Sequence, residues 1–372
     1  MDAVDLKEEL ARFPGDAPIE RAWMPPSSWY TTAEFDRLER AAVFASTWQP
    51  VARVADLREA GSYASGCLAG QPWVIVRGED GALHSFHNTC RHKGREIVEG
   101  CGHGHELVCG YHAWTYDLAG RLKSAPQMGG VEDFDRDQMS LRPIAVQEWG
   151  LWAFINLSPD AQDLTETHSG LQEGLGDPDW GALKYHGGQT WQIECNWKVV
   201  CDNYLDGGYH IPHMHPTLDA QLDMQSYSTA LFPTYSIQTA PPNKGEDQRI
   251  GFDAKSRIGD AARYAWAYPN FMLNRYGPCV DSNLVIPCGP NACEVHYEFF
   301  FLETEGEAAE RFLEESIAQS EVTQREDVAI CESVQRGLQS SSYDTGRYAP
   351  RVETGEHHFH RLLSAALSAA VS

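Results

Sequence analysis

Two short segments, Asn88-Thr-Cys-Arg-His-Lys-Gly94 and Val108-Cys-Gly-Tyr-His-Ala-Trp114, each offer one cysteine and one histidine, with sixteen residues between His92 and Cys109. Cys90 with His92 and Cys109 with His112, presented from two loop tips, suit a 2Fe-2S centre in which histidines replace cysteines on one iron and raise its potential. A chain built around such a centre moves electrons one at a time. A structural zinc site draws on the same ligand types, but the Cys-X-His then Cys-X-X-His order, with Tyr111 and Trp114 around the second pair, is atypical of zinc fingers. Cys101-Gly-His103, with His105 close behind, repeats the Cys-X-His pattern. Only five residues separate His103 from Cys109, too few to leave one tip, run a strand and enter the next, so Cys101 and His103 are expected to be bystanders.

Around these segments the pattern is one of short strands. Trp73-Val-Ile-Val-Arg77, the turn Gly78-Glu-Asp-Gly81 and Leu83-His-Ser-Phe86 predict a hairpin running into Cys90, and residues 114–123 predict a second one leaving His112. Before them, Phe35, Leu38, Ala42 and Phe44 recur at helical spacing. Further on, strands are expected at Gln248–Phe252, Phe271–Arg275, Ser282–Pro287 and Ala292–Leu302, then a long helix from Glu305 to Ser340. At 372 residues the length suggests two domains.

A formal net charge of −24 makes nucleic acid and anionic membrane surfaces poor partners. The N-terminus lacks a basic flank and an apolar core segment, and no stretch is long enough to span a bilayer. Ten cysteines scattered through a chain of this size do not form a disulfide framework, so a reducing, cytoplasmic setting is expected.

A second constellation lies at Asp202-Asn-Tyr-Leu-Asp-Gly-Gly-Tyr-His-Ile-Pro-His-Met-His-Pro216. On a helix, Asp206 and His210 share a side, so the carboxylate can orient the imidazole. His215 would diverge from His210 on a regular helix, and Pro212, which cannot continue one, is expected to turn the chain and bring it back. His213 is the rival, on the face of His210 only if the helix persists. Two imidazoles and one carboxylate make a facial triad that leaves positions open on iron(II) for dioxygen. In the long helix Asp327 shares a face with Ile330, Cys331, Val334 and Leu338 and is expected to point inward, whereas Glu326 sits at the stripe's edge and is expected to be solvated. His357-His-Phe-His360 is expected to be a surface or entrance feature.

These residues, together with Ser27-Ser-Trp-Tyr30, Tyr268-Pro-Asn-Phe-Met272, Asn274-Arg-Tyr-Gly277, Val334-Gln-Arg-Gly-Leu338 and Gly346-Arg-Tyr348, carry a resemblance. The chain resembles the oxygenase component, the alpha subunit, of the Rieske-type non-haem iron oxygenases, and within them the choline monooxygenase branch that acts on quaternary amines. The resemblance implies an α+β fold. A Rieske all-β iron-sulfur domain, residues 45–157, is inserted in a helix-grip catalytic domain, an antiparallel sheet around a long helix, made from residues 1–44 and 158–372. It implies a 2Fe-2S cluster on Cys90, His92, Cys109 and His112, mononuclear non-haem Fe(II) on His210, His215 and Asp327, and Asp206 with Asn203 as catalytic residues. Asp206 would bridge a cluster histidine and an iron-bound histidine across a head-to-tail homotrimer. Partners implied are a separate NAD(P)H-dependent reductase, alone or with a ferredoxin, dioxygen and a small-molecule substrate.

Two departures stand out. Many relatives place the bridging acid three residues before the first iron histidine, where this chain has Gly207, and a π-bulge through Gly207-Gly208 would absorb the difference. Relatives also commonly carry Pro after the second cluster cysteine, where this chain has Gly110.

The expected activity is insertion of one oxygen atom into a C–H bond of a choline-like or betaine-like compound. Hydroxylation beside the quaternary nitrogen yields an aldehyde hydrate, or formaldehyde where an N-methyl group is attacked. Tyr209, Tyr264, Trp266, Tyr268, Phe271 and Tyr276 are candidates for an aromatic cage around the cation. The alternatives are an aromatic-ring or other small-molecule hydroxylating oxygenase, and a pure Rieske electron carrier.

Overall fold

The structure is a computed structural model that describes residues 5–244 and 254–372, so the strand expected at Gln248–Phe252 lies outside the described residues. The chain forms two compact units, Arg40–Glu166 and the remainder on either side of it. These divisions fall earlier than the expected break after Phe44 and later than the one after Leu157. The π-helical turn Arg40–Phe44 lies within the inserted unit. At its far end, the Trp48 indole donates to the Gln162 carbonyl (2.8 Å) and the Leu164 N–H to the Gln147 side chain (2.8 Å), tying residues 158–166 to its sheet.

The inserted unit holds a seven-stranded antiparallel sheet in the spatial order Gln49–Arg53, Trp152–Asn156, Pro143–Trp149, Leu83–His87, Gln71–Arg77, Ser62–Leu68, Cys101–His103. A three-stranded sheet, Leu107–Val108, Thr115–Tyr116 and Leu122–Ser124, accompanies it. The expected hairpin is present, with Val74 opposite Phe86 and Trp73 opposite His87. Its apolar run is explained by burial on both faces. Trp73 and Ile75 enter one core with Leu57, Ile144 and Ile155, while Val74 and Val76 enter another with Cys90, Cys109, Trp114 and Tyr116.

The larger unit carries a seven-stranded antiparallel sheet ordered Lys184–Ile193, Ala292–Phe301, Cys279–Gly289, Phe271–Tyr276, Ala262–Ala267, Tyr235–Ala240, Ser228–Leu231. Ala292–Phe301 is paired on both sides, as its apolar second half predicts. The helix Trp197–Leu205 begins where the Asn196 side chain accepts from the Lys198 N–H (3.1 Å), a cap that satisfies an otherwise orphaned donor. The long helix spans Glu307–Leu338. Its inward row differs from the expected stripe, because Val334 is exposed and the buried positions include Gln324, Cys331 and Gln335. Gln324 and Gln335 occupy this row because each finds a partner. Gln324 accepts from Tyr297 (2.8 Å), and Gln335 accepts from the Asn196 N–H (2.9 Å) while donating to Asn291 (3.0 Å).

The His357–His360 tract is not a surface feature. It lies in the helix Thr354–Val371, whose buried residues Glu356, His360, Leu363 and Leu367 recur at helical spacing. His360 is fully buried between the Tyr348 hydroxyl (2.7 Å), the Tyr30 hydroxyl (2.8 Å) and Asp202 (3.0 Å).

Candidate metal centres and substrate cavity

The two loops of the inserted unit are closed by the same pair of backbone bonds. Cys90 N–H donates to Arg95 C=O (2.8 Å) and Gly94 N–H returns to Cys90 C=O (2.9 Å). Cys109 N–H donates to Trp114 C=O (2.8 Å) and Ala113 N–H returns to Cys109 C=O (3.0 Å). Each loop needs a left-handed residue at its fifth position, supplied by Gly94 (φ 75°) and, less comfortably, by Ala113 (φ 56°). Gly110, in place of a relative's proline, leaves this closure intact.

Both thiols are buried and both imidazoles partly exposed, their ring centroids 4.7 Å apart, with His92 stacked on Trp114 at 5.0 Å. The buried Nδ1 of His92 has no hydrogen-bond partner among the described residues, an orphan of the kind that a metal satisfies. The Tyr116 hydroxyl lies 3.5 Å from Cys90 Sγ, a contact that tunes the potential of a thiolate-bound cluster. Two thiols and two imidazoles on matched loops fit a 2Fe-2S group. Cys101 and His103 lie on an exposed edge strand paired with Ser62–Leu68.

In the larger unit, His210, His215 and Asp327 each offer a ligand atom, all within 4.8 Å of one another. The route to this convergence differs from the expected one. The helix stops at Leu205, Gly207 (φ 72°) and Gly208 (φ 74°) turn the chain, and a short helix Ile211–Met214 starts with Pro212 in its first turn. There is no π-bulge at the two glycines, and Pro212 opens a helix instead of breaking one, since its missing N–H is unused in a first turn. A Cβ on Gly207 would stand 2.2 Å from the Val352 carbonyl oxygen, so no acid fits there. Asp206 takes the place instead, accepting from the N–H groups of Gly208 (2.9 Å), Tyr209 (3.1 Å) and His210 (3.0 Å) and from His210 Nδ1 at 2.6 Å.

His215 is 1% exposed, whereas His213 is exposed and outside the group. The His215 Nδ1 lies 2.6 Å from Glu326, and its Nε2 lies 3.1 Å from Asp327 Oδ1. The Nε2 of His210 is 3.8 Å from that same oxygen, which Asn203 also reaches at 2.7 Å. Carboxylates on both Nδ1 atoms leave both Nε2 atoms facing the Asp327 carboxylate, the arrangement of metal-binding histidines. Burial disfavours protonated His215, but Asp327 and Glu326 outweigh it and hold its pKa above the ordinary value. Glu326, expected to be solvated, is thus an orienting group. The donor set fits iron(II).

The triad opens on a cavity of about 700 Å³, its mouth included. Direct cross-strand neighbours Gln238, Tyr264, Asn274 and Asp281 form one wall, and Tyr204, Tyr227, Tyr276, Tyr297 and Arg257 add to the lining. Of the six expected cage residues, Tyr264 and Tyr276 line this space. Phe271 alternates to the other face of the sheet, and Trp266 lies two residues along the strand from Tyr264, packed on Phe359. Tyr268 sits in the turn beyond that strand, and Tyr209 is 54% exposed. Tyr204, Tyr227, Tyr297, Asn274 and Asp281 were not expected in the lining, although alternation along the strand from Tyr276 points to Asn274.

Comparison with known proteins agrees with this geometry. Residues 47–135 match the Rieske [2Fe-2S] domain, and residues 180–369 match the ring hydroxylating alpha subunit (catalytic domain). The chain is 40% identical to chloroplastic choline monooxygenase of Arabidopsis thaliana, covering 96% of this chain and 86% of that one. It is 30% identical to the carnitine monooxygenase oxygenase subunit of Escherichia coli K12, covering 93% and 94%. A solved quaternary ammonium Rieske monooxygenase superposes with a TM-score of 0.81 at 27% identity, covering 95% and 99%. The chain therefore belongs to the ring-hydroxylating alpha-subunit family of Rieske oxygenases, enzymes that pair a 2Fe-2S domain with a catalytic domain binding mononuclear non-haem iron. No helix among the described residues is long and apolar enough to cross a membrane.

Proposed function

We propose that the chain is a monooxygenase that hydroxylates a small quaternary ammonium compound, choline-like or betaine-like. The observation that carries this reading is the cavity itself, in which five tyrosines and one buried carboxylate surround a space open to His210, His215 and Asp327. Tyrosine faces hold a cation without hydrogen bonds, which a quaternary nitrogen cannot donate. The names of the choline and carnitine relatives support it further.

Cys90, His92, Cys109 and His112 would hold a 2Fe-2S cluster that supplies one-electron transfer from a separate NAD(P)H-dependent reductase, directly or through a ferredoxin. His210, His215 and Asp327 would hold an iron that, when bound, supplies dioxygen activation; overall, O2, two electrons and two protons convert C–H to C–OH and water. Asp206 and Asn203 are the catalytic neighbours. Asn203 fixes the Asp327 carboxylate by donating to it, and Asp206 holds the His210 ring while presenting a charge to a cluster histidine of an adjacent copy in a homotrimer. The ten cysteines form no disulfide among the described residues, which suits a reducing, cytoplasmic location.

The test is titration with choline, glycine betaine and carnitine, followed by electron paramagnetic resonance of the nitrosyl adduct of the mononuclear iron. A changed signal with these compounds is expected. No change with any of them, beside a clear response to a neutral aromatic, would move the enzyme to ring hydroxylation.

A further inference from the structure

The cavity wall carries two buried side chains of opposite charge that do not neutralise each other by contact. Asp281 is 2% exposed and receives hydrogen bonds from neutral amides only, that of Asn274 at 2.7 Å and that of Asn283. Arg257 is 5% exposed, donates to Gln221 Oε1 at 2.6 Å and lies over the Tyr276 ring at 5.1 Å. Its buried Nε has no hydrogen-bond partner among the described residues. Buried charges are unfavourable unless paired and hydrogen-bonded, and neither has a contacting counter-ion among the described residues. Tyr264 and Tyr276 line the same cavity, edge to face with centroids 5.7 Å apart, and Tyr227 stacks on Tyr264 at 6.3 Å.

We infer that this cavity selects a zwitterion, a quaternary ammonium carboxylate whose nitrogen faces Asp281 among the tyrosines and whose carboxylate is taken by Arg257. The inference rests on the quaternary-ammonium reading above and narrows it from amino alcohols to betaines. A ligand bearing both charges completes both side chains. A simple cation such as choline completes Asp281 alone and remains in the repulsive field of Arg257.

The titration of Asp281 agrees with this geometry. Burial pushes its carboxyl up to about 7, against the Asn274 hydrogen bond and the Arg257 charge. The other titratable groups facing it, Tyr204, Tyr276, Tyr297, Tyr264 and Cys279, are all raised by burial and are neutral at that pH. An ammonium ligand therefore binds the ionised form more tightly, and affinity should rise as pH passes upward through about 7.

The experiment is calorimetric titration of the iron-loaded enzyme with glycine betaine, carnitine, γ-butyrobetaine and choline. At least one zwitterion should bind tenfold or more tightly than choline. Arg257→Gln should erase that preference by weakening zwitterions and tightening choline, and Asp281→Asn should weaken all four. If Arg257→Gln fails to retain iron, Arg257→Lys, which keeps the charge but loses the forked donor, should weaken the zwitterions alone. Choline binding wild type as tightly as every zwitterion, or an equal loss for all ligands in the arginine variant, overturns the inference and leaves the quaternary-ammonium reading standing. Failure of all four to bind wild type overturns that reading as well.

Discussion

Glu326→Ala isolates the contribution of a carboxylate that touches the mononuclear site without being one of its proposed ligands. In the structure His215 is 1% exposed, with Glu326 at 2.6 Å from Nδ1 and Asp327 at 3.1 Å from Nε2. Alanine removes the Nδ1 acceptor, leaving the tautomer and ring angle of His215 unfixed and its basicity lower. Loss of such a partner costs roughly 10–100-fold in metal affinity, or about 1.4–2.7 kcal/mol. Asp206→Ala should lose a similar amount at His210 and also destabilise the fold. Its carboxylate accepts three backbone N–H groups, each contributing about 1 kcal/mol. The Glu326 carboxylate has no backbone partner among the described residues and its side chain is 31% exposed, so its removal should leave unfolding nearly unchanged. Glu326→Gln retains an acceptor but not the charge and should fall between alanine and wild type. The assay is mononuclear iron retained against increasing chelator, with the visible absorption of the 2Fe-2S cluster as an internal reference. Wild-type iron affinity in Glu326→Ala, or cluster loss in step with the mononuclear iron, would refute this reasoning.

Cys101→Ser should leave the visible cluster spectrum unaltered, because that residue lies on an exposed edge strand, whereas Cys90→Ser should abolish it. Gly207→Ala forces a Cβ against the Val352 carbonyl at a positive φ that alone costs alanine about 1–2 kcal/mol; denaturant unfolding should show at least that loss, accompanied by depletion of the third iron. For Asp281 the folded carboxyl titrates near 7, against about 3.9 in an unfolded chain. The folded state therefore binds more protons, and ligand-free stability falls as pH rises from about 4 to about 7, by up to about 4 kcal/mol. Asp281→Asn should remove that decline, its advantage over wild type vanishing below about pH 4 in unfolding curves taken across the range.

What the sequence made legible follows from how local each feature is. The cluster loops need only a few residues each to position a thiol and an imidazole, and their spacing reads directly. The two histidines at 210 and 215 are equally local, and helical periodicity brought in Asp327. That same periodicity misplaced Glu326 and Val334, because an inward stripe was equated with an apolar one, while this helix turns Gln324 and Gln335 inward onto specific partners. His360 was misread for the converse reason, a polar tract on a buried helical face. The cavity was half visible. Parity along one strand tells Tyr276 from Phe271, but Tyr204, Tyr297 and Asp281 arrive through a helix and two further strands, whose pairing no local pattern reveals. Asp281 illustrates the point, since it meets Asn274 by cross-strand register.

The central claim is that electrons delivered to the cluster are used at His210, His215 and Asp327 to hydroxylate a quaternary ammonium compound. The most direct measurement is coupled turnover with an NAD(P)H-dependent reductase across a panel of quaternary amines and aromatics, scoring oxygen uptake and product together. One hydroxylated product per O2 consumed with a quaternary amine, lost in Asp327→Ala while the cluster still reduces, is the predicted result. Cluster reduction without oxygen uptake on any panel member, or product from aromatics alone, would contradict it.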